Sequence, residues 1–229
     1  MNSINFKHSI LFFYLCILIS PFYLMINYEP IILCLFLILI IGISHGSLDN
    51  LKGKKLLKSF GFKSSLFFYF IYLIISFLII VLWLIFPNTT LLLFLIVAAY
   101  HFGKEDTVFY FKKKFLISEI LFFIKGSSVI VAPLLFQRDA TNEIFKTLNF
   151  YVFESSIFNS QFLLIFLFLS FLSSIYISNK KNVDLKALMI VDFLSLITLN
   201  YFLTPILAFT LYFCFLHSIR HSITLTFEL

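Results

Sequence analysis

Charged residues are scarce in this 229-residue chain: Asp, Glu, Lys and Arg make up 12% of it, while 61% of the residues are hydrophobic. The mean hydropathy of +1.04 lies well outside the usual makeup of a soluble globular chain. This composition excludes a water-soluble domain and predicts that lipid surrounds most of the chain. Cysteine is also scarce, and its widely separated positions inside apolar runs predict neither a disulfide nor a metal framework. The three cysteines are Cys16, Cys34 and Cys214.

Familiar catalytic motifs are missing as well. The sequence contains no H-E-x-x-H metalloprotease motif, no P-loop, no G-x-G-x-x-G fingerprint and no G-x-S-x-G elbow. Its five histidines are too few for the membrane desaturases and hydroxylases that hold two irons. No internal repeat or low-complexity segment stands out, so we expect residues 1–229 to form a single integral membrane domain.

Long uncharged runs fill the sequence. Because a bilayer core about 30 Å thick takes about 20 helical residues to cross, these runs predict an all-α, polytopic transmembrane helix bundle with about eight spans. The first run lacks a clear small-residue cleavage site, so we expect a retained helix rather than a signal peptide. The predicted helices are Ser9 to Ile26, Pro30 to His45, Ser64 to Phe86, Asn88 to His101, Phe115 to Phe136, Gln161 to Ile177, Ala187 to Phe202, and Thr204 to His221.

The loops between these helices alternate between Lys- or Arg-rich and Lys- or Arg-poor, with Arg220 as the last basic position. Cytoplasmic loops carry the excess of basic residues, so this pattern predicts a multi-pass protein of the cell membrane with both termini in the cytoplasm. The net charge of +6 is thereby explained without a nucleic-acid partner. The stretch from Ala187 to Leu216 could be drawn as one kinked span, but Asn200 and Pro205 break it, which favours two short spans.

The longest outward loop covers residues 137–160. Its Ile144, Phe145, Leu148 and Val152 recur at helical spacing. The loop is therefore either a short amphipathic helix lying on the outer surface or an irregular connection.

Four histidines stand at predicted helix ends, and the predicted topology puts all four near the cytoplasmic face. His45 ends the second helix, His101 ends the fourth, and His217 and His221 close the eighth. Two histidines four residues apart project from one helical face, as two ligands of one metal must. Neutral imidazole suits Zn, Cu, Fe and Ni, so the pattern predicts a single metal site. Any one of these histidines alone could instead be a hydrogen-bonded interfacial residue, and His8 at the edge of the first helix is read that way.

Acidic and glycine neighbours accompany the histidines. Asp49 and Asp106 could accept the free imidazole N–H of His45 and His101, or could merely balance the nearby lysines. Gly103, beside His101, could allow a close approach or could simply end the helix, and the same holds for Gly46 beside His45.

Three charged residues fall within the predicted spans. Glu119 and Lys125 lie in the fifth helix and Asp192 lies in the seventh. We expect Lys125 to pair with one of these two acids, in a structural rather than a catalytic role.

Three sequence clusters are similar to the signature of the Brp/Blh family of bacterial and archaeal β-carotene 15,15′-dioxygenases. They are HGSLD at residues 45–49, HFGKED at 101–106 and HSIRH at 217–221. The resemblance extends from about Ile41 to the end of the sequence. Ile219 departs from the proline common in the last motif, and the chain stops soon after His221, where relatives usually continue, which suggests either a fragment or a shortened member.

The resemblance implies an Fe(II)-dependent membrane enzyme that cleaves β-carotene at its central double bond with O₂ to give two molecules of all-trans-retinal. It also implies that the retinal passes to a microbial rhodopsin, and that the iron ligands are His45, His101, His217 and His221. Two alternatives remain open from the residues: a haem-binding electron carrier, in which histidine pairs hold a porphyrin, and a transporter whose histidines handle a passing metal ion.

Overall fold

The chain is helical throughout the part that the structure, a computed structural model, describes. The described residues are 2–25, 30–42, 53–54, 57–61, 65–107, 116–178 and 183–228, and they contain no strand. The all-α prediction is therefore confirmed for these residues.

Each of the eight predicted helices has a counterpart. The bounds, in chain order, are α1 (Asn2–Met25), α2 (Ile31–Leu37), α3 (Ser65–Ile85), α4 (Pro87–Glu105), α5 (Leu116–Phe136), α6 (Arg138–Thr147), α7 (Ser160–Ser178), α8 (Val183–Phe202), α9 (Pro205–Leu211) and α10 (Ile219–Glu228).

Two π-helical segments interrupt this pattern. Ile38–Gly42 continues α2, and Tyr212–Ser218 joins α9 to α10. We call α9, the second π-helical segment and α10 together the histidine helix, because it carries His217 and His221. Its separation from α8 at the turn before Pro205 confirms that two helices, not one kinked span, occupy this stretch.

Within the described residues, six helices are long and apolar enough to cross a membrane. They correspond to α1, α3, α5, α7, α8 and the histidine helix. The apolar segment Ile31–Gly42 is shorter, and α4 is not among the six. The protein is thus an all-helical chain with several membrane-compatible helices, while the count of about eight spans stays a prediction.

α4 and α5 cross in close contact. A methyl group added at Gly103 would lie 1.8 Å from the carbonyl oxygen of Phe122, and one added at Gly126 would lie 1.8 Å from that of Ala99. Glycine lets two membrane helices approach backbone to backbone, so Gly103 serves helix packing. The alternative that Gly103 ends the helix is wrong, because α4 continues to Glu105.

Small polar residues join α7 to α5. Four serines of α7 are buried, and Ser170 donates a hydrogen bond to the carbonyl oxygen of Lys125 at 2.8 Å. Helix association inside a bilayer depends on such close packing and interhelical hydrogen bonds. On the other side of the bundle, α1 packs along α8 and reaches the histidine helix.

A short amphipathic helix does occupy the loop at residues 137–160, as one of the two expectations had it. α6 contains Ile144 and Phe145, whereas Leu148 follows its last turn and Val152 begins a short 3₁₀ helix. Lys146 at its end forms ion pairs with Glu143 and Glu154, so the helix is tied to the segment that follows it.

Candidate metal centre

Three of the four predicted histidine ligands meet at one end of the bundle. His101 lies in the last turn and a half of α4, and its ring centroid is 5.3 Å from that of His217 on the histidine helix. His217 and His221 are buried, with 0% and 2% of their surfaces exposed, whereas His101 is exposed. His45 and Asp49, the other predicted site residues, lie outside the described residues.

The backbone around His217 is π-helical rather than α-helical. His217 sits near the end of the π-helical segment, and His221 follows in the first turn of α10. The other π-helical segment packs against this one, with Gly42 facing the ring of Phe213. π-helical turns are rare and occur frequently at functional sites. The sequence predicted a regular helical face for the histidine pair, and its spacing gave no sign of this distortion.

Each buried histidine donates a hydrogen bond to a carboxylate at the end of α4. The Nδ1–H of His217 donates to Asp106 at 2.9 Å, and the Nδ1–H of His221 donates to Glu105 at 2.8 Å. Asp106 therefore does accept an imidazole N–H, but the prediction that it serves His101 is wrong. Glu105 was missed, because an acid in a lysine-rich stretch is usually solvated.

These two pairs fix the protonation of the imidazole rings. An ionised carboxylate can only accept, so each Nδ1 carries a proton, and in its neutral form each ring keeps the lone pair on Nε2. Histidine ligands of metals are held in this way, with one nitrogen on the metal and the other donating to a carboxylate or carbonyl.

Asp106 accepts a second hydrogen bond in addition to the one from His217. Its second oxygen accepts a hydrogen bond from the hydroxyl of Tyr212 at 2.6 Å. Burial alone would raise the pKa of Asp106, but attraction to His217, the hydrogen bond from that ring and the nearby cations Lys125 and Arg220 outweigh it. The pKa of Asp106 consequently lies below its usual range, and the carboxylate stays ionised as an acceptor.

A buried ion pair stands beside the histidines. Arg220, fully buried, donates to both carboxylate oxygens of Asp192 at 2.6 and 2.9 Å, and to the hydroxyl of Ser9 at 2.7 Å. The sequence-based interpretation of Arg220 as a basic loop residue that indicates the topology is wrong. A cation three residues after His217, with an intramembrane acid elsewhere in the chain, was the signal that could have revealed this pair.

The charges expected to pair with Lys125 have other partners. Glu119 binds Lys104 and the hydroxyl of Tyr100, and Asp192 binds Arg220. Lys125 interacts with Asp192 only over a longer distance, so the predicted direct pair is wrong.

The donor chemistry fits a metal ion, although the described part of the chain does not complete a ligand set. No group of three or more His, Cys, Asp and Glu side chains within the described ranges has metal-binding geometry. The described residues nevertheless supply three imidazoles in one region, two of them oriented by carboxylates. Imidazole donors of this kind suit iron, zinc, copper and nickel.

An apolar cavity of about 290 Å³ adjoins the histidines. Its walls include Phe94, Ala98 and Phe209, and α6 contributes Ile144 and Phe145. Phe102 and Tyr212 also line it; the ring of Phe102 packs edge-on against His217, with 4.8 Å between centroids. An apolar ligand in this cavity would therefore lie within one side chain of the histidine cluster.

Fold and site together define a helical membrane-type protein with a carboxylate-supported histidine cluster beside an apolar cavity. The sequence model of the beta-carotene 15,15'-dioxygenase family matches residues 36–228, and the chain belongs to this family. The match covers most of the chain and includes all four predicted histidine ligands. Neither a curated protein nor a solved structure matches the sequence.

Proposed function

We propose that this protein cleaves β-carotene at its central 15,15′ double bond with O₂ and releases two molecules of all-trans-retinal. The central carbon–carbon double bond breaks and each carbon takes one oxygen atom of O₂, so the polyene is oxidised, O₂ is reduced, and no further co-reactant is consumed. The observation that carries the proposal is the pair of carboxylate-oriented histidines beside His101, in a chain that belongs to a dioxygenase family.

The proposed cofactor is one ferrous ion held by His45, His101, His217 and His221. An ion bound by these four imidazoles would retain its positive charge and would supply the O₂ binding and redox chemistry of the reaction. Asp106 and Glu105 hold His217 and His221 in the tautomer that offers Nε2 to the metal.

The apolar cavity is the proposed place for the polyene. β-Carotene dissolves only in lipid and offers no polar group, which matches walls formed largely by aromatic and aliphatic side chains. The exclusion of water by these walls would protect the reacting bond. We further propose that the protein resides in the cell membrane with both termini in the cytoplasm and passes retinal to a microbial rhodopsin.

Expression of the full chain in cells that make β-carotene tests the proposal. Orange colour should fade and retinal should appear on chromatography, and His101→Ala should abolish both changes. Ser76→Ala is the control, because Ser76 is half-buried on α3 and its hydroxyl donates a hydrogen bond to the carbonyl oxygen of Tyr72 in its own helix.

Two outcomes would redirect the assignment. A Soret band in the purified protein, with no loss of carotene, would indicate a haem-binding electron carrier. Weakly held, exchangeable metal and no aldehyde product would indicate a metal transporter.

A further inference from the structure

The first helix reaches the predicted metal ligands although it precedes the family match. α1 covers Asn2–Met25, whereas the match begins at residue 36. Two consecutive residues of α1, His8 and Ser9, contact the histidine helix. Both α1 residues lie outside the sequence signature that identifies the site.

His8 contacts the π-helical segment on one side of His217. Its Nε2–H donates a hydrogen bond of 2.8 Å to the carbonyl oxygen of Phe215, two residues before His217. A π-helical turn spaces its backbone hydrogen bonds differently from an α-helix, so a side-chain donor at this carbonyl helps to hold the distortion.

Ser9 contacts the same helix on the other side of His217. Its hydroxyl accepts a hydrogen bond of 2.7 Å from Arg220, which directly precedes His221. Ser9 and Arg220 are both fully buried, and Asp192 on α8 holds the guanidinium through two further bonds. A paired, buried charge is costly to move, so these contacts fix the rotation of the helix at this level.

We propose that His8, Ser9, Arg220 and Asp192 are positioning residues that set the position and rotation of the helix carrying His217 and His221. The inference rests on the proposed function in treating these histidines as metal ligands. His8 limits sliding at Phe215, while Ser9 and Asp192 limit rotation at Arg220. The His217–Asp106 and His221–Glu105 bonds, at 2.9 and 2.8 Å, survive only small displacements, since a hydrogen bond is lost beyond about 3.5 Å.

Variants of α1 test this without unpairing the buried charges. Ser9→Ala removes the acceptor for Arg220, and Ser20→Ala is its matched control. Both serines are buried in α1 and both donate to the carbonyl four residues earlier, but among the described residues the hydroxyl of Ser20 forms a hydrogen bond only with Cys16. His8→Leu removes the donor to Phe215, whereas His8→Gln retains an N–H donor and should restore the wild-type result.

Two measurements on the purified full chain test whether α1 positions His217 and His221. In metal-free protein selectively labelled with ¹⁵N-histidine, Ser9→Ala and His8→Leu should shift the Nδ1–H signals of His217 and His221. In a Co(II) titration followed by visible absorption, the same variants should bind Co(II) roughly tenfold more weakly. This is the lower end of the affinity losses, about 10–100-fold, expected when a group that supports a metal ligand is removed. Ser20→Ala and His8→Gln should match wild type in both.

Unchanged histidine signals in Ser9→Ala and His8→Leu, or equal shifts in Ser20→Ala, would overturn the positioning role. A wild-type protein that binds no Co(II) would count against the metal site itself, while the metal-free ¹⁵N comparison still decides whether α1 positions the histidines. Asp192→Asn is a secondary variant, because it leaves the buried guanidinium of Arg220 unpaired and therefore also threatens folding.

Discussion

The crossing of α4 and α5 should tolerate no added atom at Gly103. The methyl group introduced by Gly103→Ala would lie 1.8 Å from the carbonyl oxygen of Phe122, whereas ordinary contact begins near 3.4 Å. The backbones therefore have to separate by roughly 1.6 Å, the difference between these distances, since neither backbone can rotate away in a close-packed interior. Overpacking of this kind costs about 1–3 kcal/mol, and we expect the upper end here.

The separation of α4 from α5 should also displace the residues that contact the histidines. α4 carries His101 and leads into Glu105 and Asp106, the acceptors for His221 and His217. Thermal unfolding of the metal-free protein should therefore begin roughly 5–10 °C lower in Gly103→Ala. Co(II) affinity should fall along with it.

Gly42→Ala is the comparison for this variant. The methyl group added there would lie 3.1 Å from the ring edge of Phe213 and 3.5 Å from the side chain of Ile38, and a side chain can yield by a few tenths of an ångström. Its unfolding temperature should remain close to wild type. If Gly103→Ala unfolds with wild type and binds Co(II) equally well, the close crossing does not set the position of α4 and the reasoning fails.

Three further variants separate the roles assigned to the site. Asp106→Asn should weaken Co(II) binding about 10–100-fold, because His217 loses its charged acceptor; unchanged affinity in the titration would disprove that support. Tyr212→Phe should lower the free energy of unfolding by about 1.5–3 kcal/mol through the lost bond to Asp106, and equal denaturation midpoints would contradict this. Ala98→Leu should raise the KM for β-carotene while Co(II) affinity stays constant; an unaltered KM would place the polyene elsewhere.

Helix positions follow from this sequence because hydrophobic runs and breakers act locally. Helices begin at Pro87 and Pro205, each one residue from the predicted starts at Asn88 and Thr204, and α5 ends at Phe136 as predicted. The fourth helix was predicted to stop at His101, but favourable packing against α5 carries it on to Glu105. That extension places two carboxylates where the histidine helix can reach them.

The hydrogen-bond partners of the site residues could not be predicted in the same way. Asp106 lies five residues from His101 in sequence, yet it bonds to His217, more than one hundred residues away. Arg220 sits at what looked like a helix end, and only the packing of α1 and α8 shows that it is buried. Such pairings depend on which helix faces meet, and a single sequence carries no direct signal of that.

The π-helical geometry of Tyr212–Ser218 sets the direction in which the imidazole of His217 leaves the helix axis. A π-helical turn holds about one residue more than an α-helical turn, so converting the segment to α-helical geometry with the same residues would turn the side chains that follow it by about 100° around the axis. The imidazole would then point away from Asp106, although every residue of the HSIRH motif would remain. A chain that keeps the motif but loses the π-helical turn would therefore lose the direction of the ligand.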